Sequence, residues 1–304
     1  MTKHLIVILG PTAIGKTKLS ITLAQHFNTV ILSCDSRQFF KEMTIGTAVP
    51  SKEELKQAEH YFIQNKTIFE PYNVGQFERD ALVQLDSIFK TKDIAIMVGG
   101  SGLYVDAVLN GLDYFPDLDP AIRTQLNDTL KISGLETLQM QLKELDPISY
   151  QNIEIENPHR VIRALEICLG TGKSYSSFKQ KPKEVRPFTP LLIGLTAPRE
   201  VLYNRINQRV DLMIQDGLVS EARELHKYKD LNALQTVGYR ELFGHIDGDY
   251  NLETAIEEIK KNTRRFAKRQ GTWFRKNTSI NWFDFDNTEG IIPFVEQKIN
   301  SNDL

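Results

Sequence analysis

The chain has 304 residues, 41% hydrophobic and 25% charged, with a net charge of −2, the composition of one large or two modest globular domains. No apolar run approaches the ~20 residues of a membrane-spanning helix, and two cysteines, Cys34 and Cys168, make neither a disulfide framework nor a zinc site. The near-neutral charge excludes nucleic-acid binding through the whole-molecule field, so any such site must come from locally concentrated Lys and Arg.

Met1-Thr2-Lys3-His4 runs straight into the first strand with no signal peptide, and a reduced cytoplasmic setting is expected. That strand, His4–Leu9, leads into Gly10-Pro11-Thr12-Ala13-Ile14-Gly15-Lys16-Thr17 and then a helical stretch, Lys18 to Phe27. Strand, glycine loop and helix are the context of a phosphate-binding P-loop. Its backbone amides turn inward around phosphate oxygens, and the helix N-terminus adds partial positive charge. Lys16 brings a full charge, and the Thr17 hydroxyl suits Mg²⁺. The motif leaves open which diphosphate is held.

The second strand, Thr29–Ser33, is followed by Cys34-Asp35-Ser36-Arg37-Gln38. A carboxylate at that position has three readings: a Mg²⁺ ligand, a general base, or the cap of the next helix. Arg37 and Gln38 stand where a bound partner would be met. A third strand, Asp93–Val98, ends in Gly99-Gly100-Ser101-Gly102-Leu103-Tyr104. Many P-loop phosphotransferases place a Mg²⁺-binding Asp after such a strand; its absence here weakens an ATPase reading. Glycines at that turn permit close approach by a ligand, or simply a tight strand–helix turn. The alternation predicts an α/β fold with a mostly parallel sheet covered on both faces. Ligands of such sheets sit beyond the carboxyl ends of the strands, so the P-loop, Asp35 and the glycine turn should converge on one crevice.

Between about Asp117 and Pro187 the sequence turns polar and helical, opening at Pro116-Asp117-Leu118-Asp119-Pro120 and closing in a Lys/Pro-rich linker, Lys179 to Pro190. This predicts a helical insertion, 117–187, in a core made of 1–116 and 188–304. Within it, Asn157-Pro158-His159-Arg160-Val161-Ile162-Arg163-Ala164-Leu165-Glu166 sets Arg160 and Arg163 one helical turn apart, which serves a partner or a solvated, salt-bridged face equally. The sheet pattern resumes at Leu191–Leu195. In Tyr203–Asp211, Arg205 and Arg209 are spaced to reach one anion together; a surface position with Arg209 near Asp211 is the alternative. The clearest helix is Glu253 to Lys276. At about 100° per residue, Ile256, Ile259, Thr263, Phe266, Ala267, Gln270, Trp273 and Phe274 form an expected core stripe. Lys261, Arg264, Arg265, Lys268 and Arg275 form a cationic ridge opposite. Its end, Lys268 to Arg275, sets basic residues beside aromatics, as RNA phosphate contacts and base stacking require, or as a solvated helix also shows. A weaker strand, Ile280–Phe285, follows.

In this order the motifs resemble the tRNA dimethylallyltransferases (tRNA isopentenyltransferases) over nearly the whole chain. The resemblance is carried by Gly10–Thr17, Asp35–Gln38, Ile45-Gly46-Thr47-Ala48, Gly99–Tyr104, Asn157–Glu166, Val237-Gly238-Tyr239-Arg240 and Lys268–Arg275. It implies a P-loop NTPase-like sheet and transfer of a dimethylallyl group from dimethylallyl diphosphate to the exocyclic amine of the adenosine 3′ of a tRNA anticodon. It also implies that Gly10 to Thr17 bind the diphosphate with Mg²⁺ at Thr17, that Asp35 is the general base, and that Lys16 and Arg209 stabilise the leaving charge. The tRNA positions it implies are Asp35, Ser36, Arg37, Gln38, Ser101, Arg123, His159 to Arg163, Gly238, Tyr239, Arg240, Lys268, Arg269, Gln270, Trp273 and Arg275. A cytoplasmic monomer acting on the tRNA anticodon stem-loop, with no membrane association, is expected. Cys34, where a smaller or non-thiol residue is usual, and Ser174, where Pro is common, depart from the pattern, and the lack of a zinc-finger extension points to a bacterial-type enzyme. An adenylate isopentenyltransferase shares the P-loop chemistry but needs neither the insertion nor the ridge. A small-molecule kinase is disfavoured by the missing carboxylate, and a non-catalytic RNA-binding module would leave Asp35 dispensable.

Overall fold

A computed structural model describes residues 2–113, 115–179 and 185–302. Contacts divide the chain into two compact units, Met1–Asn110 with Val185–Leu304, and Gly111–Glu184.

The larger unit begins β1 (His4–Leu9), α1 (Lys16–His26), β2 (Ile31–Ser33), α2 (Lys52–Gln57), β3 (His60–Tyr61), α3 (Val74–Phe89), β4 (Ile94–Val98) and α4 (Gly102–Asn110). The smaller unit is helical: α5 (Pro120–Leu145, broken at Gly134), α6 (Pro147–Asn152), α7 (Pro158–Thr171) and α8 (Tyr175–Phe178). The larger unit then resumes with β5 (Thr189–Thr196), α9 (Arg199–Gln215), α10 (Leu218–Leu225), α11 (Tyr239–Asp247), α12 (Leu252–Phe274), β6 (Asn281–Asp284) and α13 (Ile291–Asn302).

Among the described residues, six strands pair in the order β3-β2-β4-β1-β5-β6, every pair parallel. Strand β1 is central, with every residue buried, which explains why its sequence is a continuous apolar run rather than an alternating one. Successive side chains still separate to opposite faces. Ile6 and Ile8 join Leu19 and Leu23 of α1 and Val295 of α13 in one cluster; Leu5, Val7 and Leu9 join Phe77 and Leu85 of α3 and Val105 of α4 in another. A third cluster packs α9 to α12 over Phe40 and Met43. The smaller unit has its own core, built on Leu138 and Leu142 of α5 and Val161 and Leu165 of α7.

The structure adds the two-residue edge strand β3, which is too short to leave an alternating signature. It also draws the smaller unit at 111–184 rather than 117–187. The chain returning to β5 is held by Arg186, whose guanidinium meets the Glu78 carboxylate at 2.6 Å and the Ala107 and Val108 carbonyls at 2.9 Å. Residues 180–184 of the expected linker lie outside the described residues.

Candidate active site

Strands β1 and β4 are neighbours, yet the chain leaves them for helices on opposite faces of the sheet. The crevice this opens at their carboxyl ends is where an α/β sheet takes its ligand, and it receives the P-loop, Asp35 and the Gly99–Gly102 turn.

In the P-loop, Gly15 adopts φ of 110°, a conformation that strains any side chain with a Cβ. No side chain among the described residues caps the N-terminus of α1, so its amides face the loop and favour an anion. Lys16 curls back, its Nζ donating to the carbonyls of Gly10 and Pro11 at 2.9 and 2.8 Å. Desolvation pulls its ammonium down to about 8, against the attraction of Asp35 and with the repulsion of Arg209. Arg205 donates to the Ala13 carbonyl at 2.8 Å, and Arg209 reaches the Thr12 hydroxyl at 3.3 Å. Both residues of the i,i+4 pair therefore turn to the loop rather than to the surface. Burial depresses the Arg209 pKa while Asp35 supports its charge.

Asp35 accepts the backbone N–H of Arg37 at 3.0 Å through one carboxylate oxygen, a local turn that fixes the side chain without a helix to cap. The Ser36 amide donates to the Ser101 hydroxyl at 3.2 Å, tying Asp35 to the glycine turn. Gln270 of α12 joins the other two parts: its Oε1 accepts the Thr12 amide at 2.9 Å, and its Nε2 donates to the Gly100 carbonyl at 3.0 Å. A Cβ on Gly100 would stand 2.1 Å from that nitrogen, so a side chain there would displace the Gln270 amide from this bridge.

Two cavities of about 500 Å³ each meet at this point. The first is lined by Thr12 to Thr17, Arg205 and Arg209, with Val49, Glu54 and His60 opposite. The second is lined by Arg37, Ser101, Tyr104, Gly238, Arg240 and Trp273, with Leu218 and Val237 among its apolar residues. Thr12, Asp35, Thr47, Ala48, Arg209, Phe266 and Gln270 line both. Asp35 thus faces an anion cradle on one side and an aromatic, arginine-edged recess on the other.

The 44–48 loop between the cavities is held from both sides. Glu221 of α10 accepts the amides of Thr44, Ile45 and Gly46 at 3.1, 2.8 and 2.9 Å, and the Tyr239 hydroxyl at 2.6 Å. Gln38 donates its amide to the Thr47 and Ala48 carbonyls at 3.2 and 2.9 Å and takes the Ser33 hydroxyl at 3.1 Å.

The structure corrects several expectations about side chains. Phe266 and Trp273 are not core: they are 39% and 40% exposed and line the cavities, because α12 lies across the carboxyl ends of the strands rather than on a sheet face. The indole of Trp273 donates to Asp106 at 3.1 Å. Conversely, the Tyr239 side chain is fully buried and bound to Glu221, and those of Val161 and Ile162 lie in the core of the smaller unit; none of these three side chains is presented to solvent. Gln38 and Gln270 brace the site's own backbone, and Arg37 donates to the carbonyls of Asn232 and Ala233 at 2.9 and 3.1 Å. The ridge is partly consumed as well: Arg264 donates to Asn207 at 2.7 Å and Lys261 pairs with Glu258, while Lys268, Arg269 and Arg275 stay exposed.

In the smaller unit, His159 and Arg160 are exposed at the start of α7. Arg163 and Arg123 share the buried Glu166 carboxylate at 2.8 and 3.5 Å, and Arg163 also lies over the Phe115 ring. Residues the sequence did not single out are Glu54, His60, Tyr104 as a wall, and Glu221. Glu221 carries no motif, and its task is visible only when α10 is seen against the 44–48 loop.

A sequence model described as IPP transferase matches residues 38–277. Proteins named tRNA dimethylallyltransferase from Flavobacterium johnsoniae and Christiangramia forsetii are 57% and 58% identical to the chain; each alignment covers 99% of it, and 99% and 100% of the relative. Among solved structures, the Bacillus halodurans tRNA isopentenylpyrophosphate transferase superposes with a TM-score of 0.74 at 36% identity, over 98% of this chain and 97% of that one. A eukaryotic dimethylallyltransferase acting on tRNA gives 0.82 at 27% identity, over 99% and 80%. With a matched region spanning most of its length, relatives of more than half identity end to end, and the crevice described above, the chain belongs to the IPP transferase family, that of the tRNA dimethylallyltransferases.

Proposed function

We propose that this chain transfers the dimethylallyl group of dimethylallyl diphosphate to the exocyclic N6 amine of the adenosine 3′ of a tRNA anticodon, releasing diphosphate. The observation that carries the reading is the position of Asp35 on the wall shared by the two cavities. The first cavity takes the diphosphate and the second takes the adenine, which must leave the anticodon-loop stack to enter it. The amine nitrogen forms a bond to C1 of the allyl group as the C1–O bond breaks. Its proton passes to Asp35, and the bonding electron pair leaves with the diphosphate. Developing charge on that leaving group meets the P-loop amides, Lys16 and Arg209, donors already oriented by the fold.

Mg²⁺ suits this donor set. It keeps several waters and takes one or two protein oxygens beside substrate phosphates, and the Thr17 hydroxyl in the first cavity is such an oxygen. Among the described residues no group of three His, Cys, Asp or Glu forms a dedicated cage. When bound, the ion would neutralise charge on the departing diphosphate. Ser101, Arg240, Arg269 and Trp273 edge the recess for the base and its neighbours; Lys268 and Arg275, and Arg123, His159, Arg160 and Arg163 of the smaller unit, take tRNA phosphates. No helix among the described residues is long and apolar enough to cross a membrane, and we place the enzyme in the cytoplasm. One chain carries both cavities, so the working unit in this reading is the monomer.

The test offers labelled dimethylallyl diphosphate and Mg²⁺ to the protein with unmodified tRNA and AMP in parallel. Label in tRNA at the adenosine beside the anticodon, and none in AMP, is the expected result. Label in AMP alone overturns the tRNA assignment.

A further inference from the structure

With the diphosphate in the first cavity and the adenine in the second, the carbons of the allyl group beyond C1 are held between them. Displacement at C1 is in line: the amine nitrogen bonds from one side while the C1–O bond breaks on the other and its electron pair leaves with the diphosphate. The rest of the allyl chain therefore projects sideways, against the residues that line both cavities.

Those residues are chemically unequal. Asp35, Arg209 and Gln270 carry charged or amide groups. Thr12 and Thr47 carry hydroxyls that are already engaged, the first with Arg209 and the second with the Met43 carbonyl at 2.6 Å. The two apolar members are Ala48 and Phe266. An alkyl tail that lay on the polar members would cut them off from water without offering a hydrogen bond in return, whereas the apolar pair gains by being covered.

Phe266 is much the larger of the two, and its place is well fixed. It stands one turn before Gln270 on α12, and residues four apart share a helix face. Gln270 is tied to Thr12 of the P-loop and to Gly100, so Phe266 is held where the cavities meet. It is 39% exposed, an aromatic side chain left open to the site. The guanidinium of Arg269 lies 5.8 Å from the ring centroid, a cation–π contact that steadies the ring. Further back on the same face of α12, Thr263 and Ile259 line the second cavity together with Val210 and Met213 of α9. A longer tail would have to pass the Phe266 ring to reach that apolar lining.

We propose that Phe266 sets the length of the prenyl group: its ring covers the dimethylallyl tail and closes the site to a donor one isoprene unit longer. The assignment rests on the proposed function in taking an allylic diphosphate as the donor, and it names the side chain that selects among such donors. Phe266 meets the tail and takes no part in moving the proton or steadying the diphosphate.

Transfer to unmodified tRNA from labelled dimethylallyl diphosphate and from labelled geranyl diphosphate, each with Mg²⁺, tests this. The wild-type protein should use the shorter donor and discriminate against the longer. Phe266→Ala removes a phenyl ring, comparable in bulk to one isoprene unit, and opens the tail toward Ile259 and Met213. The ratio of kcat/KM for geranyl over dimethylallyl diphosphate should rise by about 10- to 200-fold, the range for altered fit in an apolar pocket. Phe266→Tyr keeps the ring and should keep the wild-type preference. A gain in use of the longer donor is a change that lost packing alone does not produce. An unchanged ratio in Phe266→Ala overturns the proposal, and so do equal losses for both donors, which would reduce the ring to a support for α12. A wild-type protein that uses both donors equally well overturns it too. If Phe266→Ala does not fold, as judged by its thermal melt, Phe266→Val repeats the measurement. A wild-type protein that prenylates tRNA from neither donor overturns the functional reading itself, a separate outcome.

Discussion

The two cavities that meet at Asp35 are made of different material. The first has a local motif at its centre, the backbone amides of a single loop and one helix end, joined by two arginines one turn apart on α9. The second is assembled from the 44–48 loop, the glycine turn, α10, the 235–240 segment and α12, held by side-chain braces that join residues up to 258 positions apart in sequence. An anion is a generic ligand, recognised by charge and oriented N–H groups, and a local motif suffices for it. A flipped base beside a folded RNA needs a shaped recess, and shape comes from tertiary contacts.

That contrast orders the variants that would break it. Asp35 belongs to both cavities, and its loss should have the largest effect. Asp35→Asn retains an oxygen for the Arg37 amide, so it separates the base from the turn; both it and Asp35→Ala should slow single-turnover prenyl transfer by about 10²- to 10⁴-fold. Full activity in Asp35→Asn would reduce the carboxylate to its structural bond. Next, Glu221→Gln sets an N–H group against amides that lack another acceptor, and leaving such donors unmet should cost about 1–3 kcal/mol in a denaturation series. Tyr239→Phe, which loses one bond and keeps its packing, should cost about 1 kcal/mol. If the second cavity alone depends on this brace, the KM for tRNA rises while Mg²⁺–diphosphate affinity is spared. Trp273→Ala should weaken tRNA binding by about 1–3 kcal/mol, the worth of one stacked base, with the KM for dimethylallyl diphosphate unchanged in steady-state assays.

A further effect, independent of any substitution, is one of pH on the first cavity. Lys16 titrates near 8 in the folded protein, below the ordinary lysine value of 10.5, so above pH 8 the folded state holds fewer protons than the unfolded one. Stability of the free protein should therefore rise with pH between about 8 and 10.5. Diphosphate affinity moves the opposite way, because the anion needs the charged ammonium: it should fall by up to about tenfold per pH unit above 8, a slope that Lys16→Met abolishes.

The same contrast explains what could be read from the sequence. The P-loop, Asp35, the glycine turn and five of the six strands were legible because each is local: an apolar run, a turn, a fixed spacing. The IPP transferase family was legible because these elements recur in order. Gln270, Trp273 and Tyr239 were picked out by the motifs around them, yet periodicity assigned Trp273 to a core stripe and the resemblance assigned Tyr239 to RNA. Helical phase states which residues share a face; it does not state what the face meets, and α12 meets the ends of strands rather than the sheet surface. Glu221 left no local trace at all. Its task depends on the amides of another loop.

Gln270 also sets a clock on biosynthesis. A ribosome-bound chain that has released β1 to β5 already possesses its phosphate loop and Asp35, but the bridge from Thr12 to Gly100 awaits a residue near the end of α12. The crevice is therefore among the last features of the molecule to close, long after its phosphate loop and Asp35 have left the ribosome.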